Sequence, residues 1–380
     1  MTICIYSEPL TVFTSGTPMR GLFGELIKQR SNDYFKLIFR NPYSENLNDY
    51  FKSLSELPNC EIVFEKYSRK FSNMLALAGY SNYNKVNYDG DVFISAGTPD
   101  IMGTDKKKQI VMVADLSSIR TPKNSSLKWH GNLIFRNSLK LAVEFALKIV
   151  CISNFTRNDL INIYPESVEK TAVVYNGIDN SWFDDIYEDF ETLKSKFSIK
   201  DKYWIWWGAV TNRKNLWNLL KAYQSLINEG YKLPRILIIG NFAPNQIFVK
   251  DFIENELIDY VKHITFQNVY TLKTLVKNSG GLLFPSYYEG FGLPVIEAFS
   301  QGKPVMHSED SSLPEIAGGL GINCDPYNIE SIKYALLKMV ELKDDENEIL
   351  RRKQWASRFT YRNASLEFSK IIDEVMANDI

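Results

Sequence analysis

Hydrophobic positions fall into short unbroken runs separated by stretches of helical spacing. The runs at 2–6 (TICIY), 37–39 (LIF), 61–64 (EIVF), 91–95 (DVFIS), 109–116 (QIVMVADL), 149–152 (IVCI) and 172–175 (AVVY) have the length of buried strands. Between them, helical patterns cover 22–29, 46–56, 69–79 and 123–148, and another follows the capping serine Ser153. The alternation resumes with strands at 203–208 (YWIWWG), 235–240 (RILIIG), 264–266 (ITF), 280–284 (GGLLF) and 305–306 (VM). Helices are expected over 216–228, 272–279, 329–342, 345–354 and 355–376, and from Pro294. Strands alternating with helices predict an α/β fold with doubly wound parallel sheets, whose ligands sit at the carboxyl ends of the strands.

A length of 380 residues exceeds one ordinary core and suits two domains. The chain is 45% hydrophobic and 23% charged, a globular balance, and its net charge of −1 gives no support to a nucleic-acid partner. Cys4, Cys60, Cys151 and Cys324 are scattered, as are His130, His263 and His307, so neither a disulfide frame nor a metal site is expected. The start of the chain has no basic leader pattern, and no apolar run reaches membrane-spanning length. The expected setting is therefore cytoplasmic. The 21 tyrosines and 23 phenylalanines suit sugar stacking and ordinary cores equally.

Candidate chemistry concentrates at Phe284–Ala298 (FPSYYEGFGLPVIEA). A strand enters a loop with glycines at 290 and 292, and a helix opens at Pro294, where proline's missing N–H has no partner to lose. Such a junction aims backbone amides and a positive helix end at one point, which suits phosphate. Glu289 and Glu297 bracket it, and carboxylates accept from neutral hydroxyls, so the ligand expected is a sugar–phosphate. Arg213 and Lys214 stand at the start of the 216–228 helix, where cations oppose the dipole, and a bound anion would resolve the conflict. A second glycine loop, Ser15–Gly21, precedes the first helix, and its Arg20 fits either a phosphate or acceptor contact or a solvated arginine. Asp115, at a strand end, fits a helix cap or turn aspartate, or an acceptor contact. In 123–148, Lys123, Lys128, Arg136, Lys140 and Lys148 outnumber Glu144. That stretch fits a surface resting on anionic lipid or a core helix with one charged face.

Glu289 and Glu297, separated by seven residues that include Gly-Phe-Gly-Leu-Pro, resemble the E-x7-E signature of the retaining nucleotide-sugar glycosyltransferases, family 4 of the GT-B fold. The sequel through Gly302, Pro304 and Leu313-Pro314-Glu315 follows the same pattern, and Arg213-Lys214-Asn215-Leu216 resembles the form found in bacterial mannosyltransferases of surface-polysaccharide synthesis. The resemblance implies two Rossmann-like domains facing across a cleft. The first would be 1–183, a linker 184–200 would follow, the second would be 201–354, and a terminal helix at 355–380 would cross back to the first. It implies that Arg213 and Lys214 hold the donor diphosphate, Glu289 the donor sugar and Glu297 the ribose. Gly16, Gly208, Asn215, Gly240, Gly290, Phe291, Gly292 and Leu293 would complete the donor site, with Arg20 and Asp115 on the acceptor side.

The implied reaction is hexose transfer with retention and without a metal. GDP-mannose is the first donor and a UDP-hexose the second. The acceptor would be a glycan or a polyprenyl-diphosphate-linked sugar, met at the inner face of the plasma membrane, in O-antigen or capsule synthesis. Two positions depart from the family. Ala114 stands where a histidine is usual, and Ala209 replaces a further arginine. Competing readings are a nucleotide-sugar epimerase, a phosphorylase (whose lysine context is missing) and a non-catalytic nucleotide-sugar or glycan-binding subunit, which the two alanines favour.

Overall fold

The computed structural model describes all residues except 8, 9, 11–15, 40–46, 65–89, 98–107, 123–128, 201, 344 and 378–380. The chain divides into two compact units. One runs to Gly177 and resumes at Thr360, and the other is centred on Ile178–Phe359.

Among the described residues the first unit holds seven strands: β1 (Thr2–Tyr6), β2 (Tyr34–Phe39), β3 (Cys60–Phe64), β4 (Val92–Ser95), β5 (Lys108–Val113), β6 (Lys148–Cys151) and β7 (Thr171–Val173). They form one parallel sheet in the order β3-β2-β1-β4-β5-β6-β7, with Ile3 of β1 opposite Phe35 on one side and Val92 on the other. The described helices before the crossing are α1 (Thr17–Gln29), α2 (Asn48–Ser55), α3 (Ser117–Arg120), α4 (Trp129–Phe145) and α5 (Asn154–Ile163). The Ser153 hydroxyl accepts from Thr156 N and caps α5, as its sequence predicts.

In α4, Leu139, Ala142 and Val143 pack into the core while Arg136, Lys140 and Glu144 recur every four residues on the exposed side. Over its described length this element packs one face into the core and exposes a charged one. Lys123 and Lys128 lie outside the described residues, as does the helix expected at 69–79. The helix expected at 46–56 is seen over 48–55.

The second unit contains α6 (Phe190–Phe197), β8 (Tyr203–Trp207), α7 (Leu216–Asn228), β9 (Arg235–Ile239), α8 (Ile247–Glu256), β10 (Val261–Ile264), α9 (Val269–Lys277) and β11 (Leu282–Phe284). It continues with α10 (Leu293–Ser300), β12 (Val305–Ser308), α11 (Leu313–Ala317), β13 (Ile322–Cys324), α12 (Ile329–Glu341) and α13 (Glu346–Ala356). Its six parallel strands run β10-β9-β8-β11-β12-β13. Counted from β8, this is the doubly wound order 3-2-1-4-5-6, whose winding direction reverses between β8 and β11. Trp204, Trp206, Leu219, Tyr223, Ile236, Ile238, Leu283, Met306 and Leu336 form the buried core between sheet and helices.

Three elements differ from the sequence expectation. β10 ends at Ile264 rather than centring on Thr265, because its pairing with β9 sets Val261 opposite Ile236. α9 starts at Val269, since the Asn268 side chain accepts from Thr271 N and caps it. The helix expected over 355–376 is two. α13 stops at Ala356, a turn follows, and α14 (Tyr361–Ala377) begins after Thr360, whose hydroxyl accepts from Asn363 N at 3.1 Å.

α14 belongs to the first unit and packs on α1. The Phe23 and Phe368 rings meet edge to face at 5.6 Å, and Arg30 reaches Asp373 at 2.8 Å. Gly21 lies under the Tyr361 ring, where an added Cβ would come within 2.2 Å.

Gly208 and Gly240, just past β8 and β9, sit at φ +126° and +152°, and a Cβ on Gly240 would fall 1.9 Å from the Gly208 carbonyl oxygen. Both left-handed backbone and backbone contact exclude a side chain there. Gly240→Ala is therefore expected to destabilise the protein by roughly 3 kcal/mol or more and to lower the thermal midpoint by several degrees. An unchanged midpoint would mean that the two strand ends are free to separate.

Candidate functional site

The site grows from the two strands that flank the reversal of the second sheet. β8 leads through Gly208 into a 3-10 turn at Asn212–Lys214 and then α7. β11 leads through Pro285–Gly292 into α10. Parallel pairing of Leu282 with Ile205 brings the two loops out side by side at the carboxyl ends.

The loops are tied together by backbone atoms and buried polar side chains. Arg213 O accepts from Tyr287 N at 2.8 Å, and Arg213 Nη1 donates to Tyr288 O at 3.0 Å. Asn215 holds a left-handed backbone at φ 52°, and its Nδ2 donates to Pro285 O at 3.0 Å and Pro326 O at 2.8 Å. At 2% exposure, Asn215 fixes the loops from below rather than offering its amide to a ligand. Asn218 Nδ2 donates to the Tyr287 hydroxyl at 2.8 Å, and the Tyr287 ring stacks on Tyr327 with centroids 4.8 Å apart. The Ser312 hydroxyl sits 2.9 Å from Glu289 O and 2.7 Å from Phe291 O. Gly292 caps α10 at φ +108° without a side-chain cap hydrogen bond, and Leu313 would clash with a Cβ there. The positive end of the α10 dipole is thus left for a ligand.

Charge is densest between the loops. Arg213 Nη1 lies 3.1 Å from Glu289 Oε2, and Lys214 Nζ lies 3.5 Å from Glu289 Oε1 and 4.5 Å from the Phe284 ring centre. Burial pushes the Lys214 ammonium below its ordinary value, by more than Glu289 restores. Burial pushes the Glu289 carboxyl up, but Arg213, Lys214 and the Ser286 hydroxyl together outweigh it and hold the group below its ordinary value. Two cations thus share one carboxylate in a largely desolvated place, which leaves the pocket receptive to a further anion. The conflict of cations at a helix start, expected from sequence to need a bound anion, is met in the unliganded protein by Glu289.

Glu297 lies on α10 and accepts a hydrogen bond from Trp207 Nε1 at 2.9 Å. Burial raises its carboxyl to about 7, against the opposing pull of Trp207 and Lys214. Gly240 contributes by close packing against Gly208, and its carbonyl is taken by His263 Nε2 at 2.7 Å.

The expected acceptor-side residues lie in the first unit, with Gly16. Gly16 precedes α1 with ordinary helical backbone, and its carbonyl accepts from Arg20 N. Arg20 is not solvated. It is buried, and its guanidinium donates to Leu10 O at 2.5 Å and to Thr17 Oγ1 at 2.8 Å, so it clasps the loop before α1. Asp115 Oδ1 accepts from Ser117 N at 2.9 Å and Ser117 Oγ at 2.6 Å, a local turn contact just before α3. Among the described residues, no cluster of three His, Cys, Asp or Glu is placed to hold a metal, and no helix is long and apolar enough to cross a membrane.

Trp207, Asn218 and Ser312 went unremarked as site residues from sequence. A tryptophan inside YWIWWG reads as core, and its pairing with Glu297 depends on the α10 position relative to the sheet.

The family described as glycosyl transferases group 1 matches residues 189–355. O-antigen chain mannosyltransferase B of Escherichia coli is 25% identical over 235 residues, covering 60% of this chain and 61% of that protein. O-antigen chain mannosyltransferase RfbU of Salmonella typhimurium is 24% identical over 257 residues, covering 68% and 67%. The match thus spans about three fifths of the first relative's length and two thirds of the second's.

Among solved structures, Anabaena HepE in complex with UDP and glucose superposes with a TM-score of 0.71 at 16% identity, covering 98% of this chain and all of that one. The sucrose-phosphate synthase of Thermosynechococcus elongatus gives 0.75 at 14% identity, covering 99% of each. These likenesses show the fold, the GT-B type expected from the sequence.

An acid whose folded value is raised is destabilising once ionised. The Glu297 cost is absent below about pH 4.5 and complete above about pH 7. Glu297 is only partly covered, so solvent trims the effect to the order of 1–2 kcal/mol. Glu297→Gln keeps an acceptor for Trp207 and should raise the unliganded thermal midpoint at pH 8 but not at pH 4.5. Equal midpoints at both pH values would show that the carboxylate is ordinarily solvated.

Proposed function

With residues 189–355 matching the family of glycosyl transferases group 1, we propose that this protein transfers a hexose from a nucleoside diphosphate sugar to an acceptor hydroxyl, with retention at the anomeric carbon. The observation that carries the reading is the convergence of Arg213, Lys214, Glu289 and Glu297 at the carboxyl ends of β8 and β11. Breaking the sugar–phosphate bond builds negative charge on the departing diphosphate. Arg213, Lys214 and the start of α10 are placed to stabilise that charge without reorganising, and such preorganised electrostatics is commonly the largest catalytic term. This role stands in for a divalent metal, so the transfer is read as metal-independent.

On diphosphate binding, Arg213 and Lys214 exchange part of their pairing with Glu289 for phosphate oxygens. Glu289 is then released to accept from hydroxyls of the donor sugar, and Glu297 accepts from the ribose. No protein nucleophile is assigned, and the leaving phosphate oxygen takes the acceptor proton.

GDP-mannose is the donor we propose, supported by the two mannosyltransferase relatives, and the UDP bound in HepE supports a UDP-hexose as the second choice. The acceptor is a glycan or polyprenyl-diphosphate-linked sugar of surface-polysaccharide synthesis, O-antigen by the same likeness. The exposed Arg136 and Lys140 of α4 support peripheral approach to an anionic membrane from the cytoplasmic side. A second reading, a subunit that binds the nucleotide sugar without transferring it, draws on Ala114 and Ala209.

Thermal-shift titration without metal separates these readings. A ligand at about 100 times its dissociation constant adds about 2.7 kcal/mol, and GDP is expected to give such a shift. Lys214→Ala should lower mannose transfer at saturating donor by about 100-fold or more, a larger effect than on GDP affinity. Normal turnover in Lys214→Ala would sink the phosphate role. A GDP shift without transfer to any lipid-linked or glycan acceptor would favour the binding subunit.

A further inference from the structure

Trp207 is not part of the catalytic set assigned above, yet it makes a direct polar contact to one member of that set. Its indole N–H donates to Glu297 Oε2 at 2.9 Å, and the ring is 5% exposed at the end of β8. The ring is itself held. Trp182 stacks alongside it with centroids 6.5 Å apart and planes 17° apart. The Trp182 carbonyl accepts from Gln301 Nε2 at 2.7 Å, and Gln301 directly follows α10, the helix that carries Glu297. Strand end, indole stack and helix therefore form a closed circuit with the carboxylate inside it. An indole is a donor only, so it cannot compete for ribose hydroxyl protons.

We infer that Trp207 is a positioning residue for nucleotide binding, its N–H fixing the plane of the Glu297 carboxylate so that this group receives the ribose hydroxyls. The inference rests on the nucleotide-sugar reading of the site and adds to it a determinant of ribose recognition. It has a second consequence. Three other groups bear on Glu297: Trp207 and Lys214 favour its ionised form, and Asp179 opposes it. Removing the indole donor removes one of the two favourable contacts. Ribose binding prefers the ionised carboxylate, so its pH dependence should move to higher pH.

The test measures GDP and 2′,3′-dideoxy-GDP affinity by calorimetry from pH 6 to 9, for the wild type, Trp207→Phe, Glu297→Ala and the double variant. Thermal unfolding of each variant establishes that it is folded. Expected are a loss of GDP affinity of about tenfold in Trp207→Phe, the order of one charge-assisted hydrogen bond, and a pH profile moved upward. Dideoxy-GDP, which lacks the ribose hydroxyls, should bind wild type and Trp207→Phe alike. Trp207→Phe should add little once Glu297 is already Ala.

Equal losses for GDP and dideoxy-GDP, or additive effects of the two substitutions, would overturn the inference and leave Trp207 as packing. So would wild-type affinity and an unmoved pH profile in Trp207→Phe. Failure of the wild-type protein to bind GDP or UDP at any pH would instead overturn the nucleotide-sugar reading, and the inference with it.

Discussion

The site depends on two cations sharing one buried carboxylate. Arg213 and Lys214 both face Glu289, which is 8% exposed, in surroundings that already depress the Lys214 ammonium. Desolvating charge is costly, and a pair recovers that cost only with good geometry and further hydrogen bonds. Here the geometry is supplied by the backbone. Arg213 also donates to Tyr288 O, and its own carbonyl holds Tyr287 N, so the guanidinium and the loop that carries Glu289 move as one piece. On the proposed function, a diphosphate entering this arrangement would meet donors that are already aimed and would displace an internal carboxylate rather than a full water shell.

Everything beneath the ion cluster serves to hold it without side chains in the way. Gly208 and Gly240 let β8 and β9 end in backbone contact, and Gly292 turns the loop into α10 under Leu313. Asn215 reaches two carbonyls from a left-handed backbone position, which ties the 285 loop to the 326 loop. Ser312 secures the peptide carbonyls around Glu289 from the neighbouring strand's loop. The acidic residue further along, Glu297, pays for its place: burial holds its carboxyl near neutrality, and the Trp207 indole and Lys214 temper that.

Much of this was legible in the chain. The two-unit α/β plan followed from short apolar runs alternating with helical spacing, and the strand, glycine loop and helix start over 284–298 followed from its glycines and proline. What failed to show has a common cause. Arg20 reads as a surface cation, yet it is buried on the Leu10 carbonyl, because a guanidinium near a loop finds whatever acceptor the tertiary fold brings. The break at 357–360 was invisible because Trp355–Met376 keeps helical spacing through it. Glu289 as counter-ion and Trp207 as its neighbour's partner are contacts 76 and 90 residues apart in sequence, and no local pattern encodes them. The Arg213–Lys214 pair, by contrast, was legible because a local rule was broken: cations at a helix start advertise an anion.

The central claim is that a nucleoside diphosphate takes the place of part of the Glu289 pairing. The most direct measurement is a crystal structure with GDP bound. The account predicts the diphosphate within hydrogen-bond distance of Lys214 Nζ and the Arg213 guanidinium, at the start of α10, with Glu289 turned away from at least one of the two cations and the ribose hydroxyls on Glu297. Nucleotide bound elsewhere, or bound with both Glu289 contacts intact, would contradict it.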